Sequence, residues 1–92
     1  MKIIVYGTQN EKDCNFVRSL AKLMISRLGL DKSKDYEATC LYSNEMKFEG
    51  FEIRQVGQST LLASYDEHRK RIMKWSQNRV AYWEHFNYEI IS

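Results

Sequence analysis

The 92-residue sequence contains no proline and only four glycines. Without proline, no turn here rests on the one residue for which a cis peptide bond is inexpensive. Long apolar runs are missing too: none approaches the roughly 18 residues that a membrane-spanning helix needs. The opening MKIIVYG has an apolar stretch of about four residues and no small-residue cleavage site, so it does not read as a secretory signal. Cysteine is scarce, at two residues. Far apart and with no sign of export, Cys14 and Cys40 read as reduced thiols of a cytoplasmic protein. His68 and His85 stand alone, no Cys/His cluster has metal-ligand spacing, and no metal is expected. Nor is there a strong excess of charge of one sign. A net charge of +2 is too mild to argue nucleic acid by itself.

What is present suffices for one small core. Apolar residues make up 43% of the chain and aromatic residues 13%, in a length that reads as one domain. Lys2–Tyr6 is a short β-branched run ended by Gly7 and reads as a buried strand. From Asp13 to about Leu28, the residues Val17, Leu20, Ala21, Met24 and Leu28 recur at helical spacing. Phe16, Leu23 and Ile25 widen that face. Asp13 reads as the N-cap and Gly29 as the stop. Tyr36–Tyr42 alternates as a strand, with Tyr36, Ala38, Cys40 and Tyr42 on one side. Residues 43–50 have room for one helical turn. Phe51–Val56 alternates again, and residues 58–63 read as the return strand of a hairpin around Gly57–Ser59. Ser64 followed by Glu67 fits a capping box, which predicts a helix carrying Tyr65, His68, Ile72 and Trp75. The tail from Asn78 reads either as more of this helix or, at residues 86–91, as a final strand.

Two features carry chemistry. Cys14 sits near the start of the first helix, where free N–H groups and the macrodipole favour a thiolate; the plainer alternative is a small apolar residue in the core. Residues 68–86 interleave basic side chains with Trp75, Tyr82, Trp83 and Phe86. That mixture suits a protein interface or, as the weaker expectation, single-stranded nucleic acid. It equally suits a core with a solvated outer face.

Four segments in order resemble the glutaredoxins, thioredoxin-fold proteins, and among them the short bacteriophage type. VYGTQNEKDC resembles the family's opening strand, loop and active-site cysteine. DYEATCLY falls where the second strand belongs. IRQV (Ile53–Val56) resembles the family's V-P-Q-V segment, and ASYDEH (Ala63–His68) its G-G-x-D-D/E-L segment at the last helix. The resemblance implies a thioredoxin-like mixed sheet flanked by helices, in a single domain over residues 1–92 with 78–92 as a C-terminal extension. A ferredoxin-like βαββαβ sandwich is the alternative fold. It also implies Cys14 as the catalytic thiol, and Arg54, Gln55 and Asp66 as glutathione-binding residues. Asp66 reads equally as a first-turn acid of its own helix. Val17 stands at the resolving position, so only a monothiol exchange with glutathione would remain. Arg54 stands where the family has its proline, and Ala63 and Ser64 where it has two glycines. The competing expectation is a catalytically inactive domain that binds a partner protein through the basic-aromatic segment.

Overall fold

The computed structural model describes residues 1–86. Its elements run β1 (Ile3–Tyr6), α1 (Glu11–Arg27), β2 (Tyr36–Tyr42), β3 (Phe48–Gln55), β4 (Ala63–Asp66), β5 (Arg71–Ser76) and β6 (Arg79–His85). The strands form one six-stranded sheet in sequence order, β1 through β6. The β1–β2 pair is parallel, bridged by α1, and each later pair is antiparallel. The architecture is thus α/β with a mixed sheet, carrying one helix among the described residues.

α1 forms where its periodicity demands. Val17, Leu20, Ala21, Met24 and Ile25 are completely buried. They meet Tyr36, Ala38 and Cys40 of β2, Phe51 and Ile53 of β3, and Ala63 and Tyr65 of β4 in one core. Register makes this a single face: Ala38 pairs with Ile53, which pairs with Ala63, and Cys40 pairs with Phe51, which pairs with Tyr65. Because strand side chains alternate, the intervening residues face the other way. α1 packs on β1, β2 and β3, and Arg27 in its last turn reaches Glu84 of β6 as an ion pair. No other described element covers the sheet.

Several expectations are corrected. The helix begins earlier than Asp13. Asn10 is its N-cap, with its side-chain oxygen accepting from the Asp13 N–H at 2.8 Å. Residues 43–47 form a tight turn closed by the Ser43 N–H on the Lys47 carbonyl, and β3 starts at Phe48. The return strand begins only at Ala63.

The largest correction is the helix predicted after Ser64. Ser64–Asp66 belongs to β4, and Arg71–Ser76 is β5. Between them the Asp66 carboxylate accepts from the N–H groups of His68 and Arg69, at 2.9 and 3.1 Å, in place of a helical turn. Lys70 closes the turn at φ 52°. The helices expected on both sides of the sheet, and the second helix of the ferredoxin-like alternative, are therefore not formed among the described residues. Within the segment expected as a C-terminal extension, residues 79–85 form the strand β6. It joins β5 through Gln77 and Asn78, both at positive φ, the geometry of a two-residue hairpin turn. The final strand expected over residues 86–91 lies, apart from Phe86, outside the described residues.

Candidate functional site

The cysteine end of the sheet forms around the first turn of α1. Cys14 is the fourth helical residue, and its N–H already donates to the Asn10 carbonyl at 3.1 Å. That amide is spent on the helix and is not free for the sulfur. Asp13 beside it accepts from the Tyr42 hydroxyl at 2.7 Å and from the Asn10 side chain at 3.2 Å. Tyr42 in turn accepts from the Gln9 N–H at 3.1 Å, so a hydrogen-bonded chain fixes the loop before α1 to the end of β2. Both thiols are free, Cys14 half-buried and Cys40 buried. Burial pushes the Cys40 thiol up to about 11, with the negative charges of Cys14 and Asp13 acting in the same direction. The charge that the hydrogen bonds bring to this end is thus a carboxylate, which opposes ionisation of Cys40.

The other residues expected at a glutathione site do not gather here. Arg54 alternates with the buried Ile53, so it projects from the face opposite α1. There it pairs with Glu52 at 3.1 Å and donates from Nε to the Ser59 carbonyl at 3.2 Å. Described peptide bonds are all trans, the one before Arg54 included. Gln55 pairs with Tyr36 at the start of β2, while Cys40 lies towards its end; at about 3.3 Å per residue the two are over 10 Å apart along the strand. Asp66 is a turn residue on the face opposite α1. Arg18, a turn after Cys14, is exposed.

The basic-aromatic segment is sorted by the hairpin into two faces. Phe86 is buried against Phe16 and Tyr65. Tyr82, on the α1 side, donates to Glu84. Trp75 and Trp83 lie on the face away from α1, with Arg71, Met73 and His85. Met73 pairs with Trp83 across β5 and β6, and Arg71 pairs with His85. The Arg71 guanidinium carbon stands 4.0 Å from the centre of the Trp83 ring, and the His85 ring meets the same indole edge-on at 5.3 Å. The Trp75 indole N–H donates to the Ser64 hydroxyl at 2.8 Å. Tyr6 and Leu41 on the same face are 46% and 41% exposed, and Trp83 is 44% exposed. A shallow depression of about 290 Å³ lies beside them, lined by Leu41, Ser64 and Met73 together with Glu49, Glu52, Asp66 and His68.

Sequence reasoning noticed the aromatics of this segment but not which of them share a surface. The period-two alternation of Arg71, Met73 and Trp75 is the signal that would have placed them. No described cluster of His, Cys, Asp and Glu has the grouping that holds a metal ion. No described helix is long and apolar enough to cross a membrane. No protein-family model, curated protein or solved structure matches this chain.

Proposed function

We propose that this chain works by binding a partner protein through the uncovered face of its sheet, centred on the β5–β6 hairpin. The observation that carries the reading is the Arg71–Trp83 stack, a cation held 4.0 Å from an indole that is itself 44% exposed. Tryptophan and arginine are the residues most enriched among interface anchors. Here they sit with Met73 and Trp75 on a rigid antiparallel hairpin rather than on a loop. The same face also presents Tyr6 and Leu41, at its β1–β2 side. Affinity capture with Trp83→Ser against the wild type is the test, with Met46→Ser as a control at an exposed apolar residue in the β2–β3 turn. Partners retained by Met46→Ser and lost by Trp83→Ser support the reading. Identical partners for all three proteins sink it.

A second reading keeps the glutaredoxin-like identity, with Cys14 as a monothiol that exchanges with glutathione. It is supported by the β1–α1–β2 unit, which carries a half-exposed cysteine in the first turn of its helix. The wide separation of Gln55 from Cys40, and the placing of Arg54 and Asp66 on the face opposite α1, weigh against a glutathione site there. Glutathione-dependent reduction of a mixed disulfide, present in the wild type and lost in Cys14→Ser, would establish this reading. Equal, background rates would remove it.

A further inference from the structure

The charges of the uncovered face are unevenly spread. Glu37, Glu52 and Asp66 stand on its β2–β4 side together with Arg54, and Arg71 and His85 on its β5–β6 side, with Arg71 directly across from Asp66. The two other arginines at these strands and their turn are matched within the chain, Arg54 with Glu52 and Arg69 with Asp66. Arg71 differs. Among the described residues it has no carboxylate partner, and its Nε is buried without a hydrogen-bond acceptor. The guanidinium is held by the Trp83 ring instead. Resting on the binding reading above, we infer that the partner is an acidic peptide segment that places a carboxylate on the Arg71 guanidinium, with a neighbouring apolar or aromatic side chain against Met73 and Trp75.

The physical reasons are three. The carboxylate across the strands from Arg71, that of Asp66, is already bonded to Arg69 and to two backbone N–H groups, so the half-buried guanidinium is incompletely compensated, and a carboxylate is the group whose geometry matches its fork of donors. Stacking on Trp83 fixes the fork before any partner arrives, so less side-chain freedom is lost on binding. The spread of charge selects the length of the anion. A phosphodiester backbone running across the strands from Arg71 would meet Asp66, Glu52 and Glu37, where the cation Arg54 is already paired with Glu52, and polyanion binding needs several cations in a row. A single carboxylate followed by an uncharged or basic residue meets less repulsion.

The test uses the full chain and, as probe, a short peptide in which one glutamate is flanked by tyrosine and lysine, followed by tryptophan fluorescence and calorimetry. The same peptide with glutamine in place of the glutamate, and oligothymidylate, serve as comparators. The glutamate peptide is expected to bind, and to bind about tenfold more weakly to Arg71→Glu, while Arg71→Lys keeps an intermediate affinity. Circular dichroism shows whether each variant folds, and Arg71→Gln stands in if the charge reversal does not. Binding is also expected to weaken as salt rises from about 0.05 to 0.5 M. Peptide affinity unchanged by Arg71→Glu and Arg71→Gln overturns the inference. If Trp83→Ser still weakens binding in that case, the face survives as a binding surface and only the carboxylate is lost. If Trp83→Ser has no effect either, both fall. No binding of the glutamate peptide, equal binding of its glutamine analogue, or preferential binding of oligothymidylate, also overturns it.

Discussion

The Tyr42 hydroxyl donates to the Asp13 carboxylate at 2.7 Å, joining the last residue of β2 to the first turn of α1. This bond fixes the loop over residues 7–10, because the same hydroxyl accepts from the Gln9 N–H. It joins elements 29 residues apart in the chain. Nothing in either local sequence announces it.

Tyr42→Phe removes both bonds while leaving the ring in contact with Phe48, 5.8 Å away between centroids. The Asp13 carboxylate keeps the Asn10 side chain as donor, so the loss is that of a charge-assisted bond at a half-buried site. The expected cost is about 1–2 kcal/mol in urea unfolding. A cost near zero would mean that water replaces the hydroxyl without penalty.

Gly50 sits in β3 at φ 141°, and a Cβ placed on it would lie 1.9 Å from the Tyr65 carbonyl oxygen of β4. The obstacle is backbone, so no side chain can swing aside. Gly50→Ala should separate β3 from β4 and cost roughly 3 kcal/mol or more. Gly57, also at positive φ, has nothing within 4 Å of the corresponding position. Its alanine variant should cost only the backbone strain, on the order of 1 kcal/mol. Equal melting temperatures for the two variants would contradict the close approach.

Burial raises the Cys40 thiol from 9.0 to about 11. The protonated form is therefore favoured in the folded state relative to the unfolded one. The stability this contributes is fully present below pH 9 and is lost as pH rises towards 11. Tyr36 and Tyr42, both raised chiefly by burial, extend the loss to higher pH. Cys40→Ala should flatten the fall between pH 9 and 11, read by denaturant unfolding. In native protein at pH 8, iodoacetamide should modify Cys14 well before Cys40. Equally fast modification of both would mean that Cys40 is not sealed.

Ser64 is a buried polar side chain on the face away from α1, and its hydroxyl accepts the Trp75 indole N–H at 2.8 Å. Ser64→Ala leaves that indole without its acceptor and should cost about 1–2 kcal/mol. Because Trp75 rests on the face proposed for partner binding, its fluorescence should also shift. An unchanged emission maximum would show that the indole environment does not depend on this bond.

The comparison of sequence with structure turns on α1 and on the segment after Ser64. α1 was legible because its pattern is long and one-sided: Val17, Leu20, Ala21, Met24 and Leu28 are all buried where the periodicity put them. β2 was equally legible from the alternation of Tyr36, Ala38 and Cys40. The N-cap was misplaced because Asn10 and Asp13 are both good caps; Asn10 takes the role and Asp13 is recruited by Tyr42. The helix predicted after Ser64 failed for an instructive reason. Tyr65 and Ile72 are seven residues apart, which two helical turns would bring to one face. In the structure they are cross-strand partners of β4 and β5 and reach the same core by that route. Spacing alone does not separate the two, and the turn between them has no glycine to mark it. Nor does the β5–β6 turn, which uses Gln77 and Asn78 at positive φ.

For the site, the chain itself showed that a cysteine opens α1 and that basic and aromatic residues crowd its second half. It did not show that Arg54 and Asp66 lie across the sheet from α1, or that Arg71 rests on Trp83. The sequence alone determined which residues are apolar and how they repeat, and for α1, β2 and the second half of β3 local periodicity was enough, since each has a single buried face. Tertiary structure decided the rest. Whether a segment becomes helix or hairpin, and which of two faces a charged side chain takes, depends on cross-strand partners distant in the chain, and a register fixed by those partners leaves no mark in the local pattern.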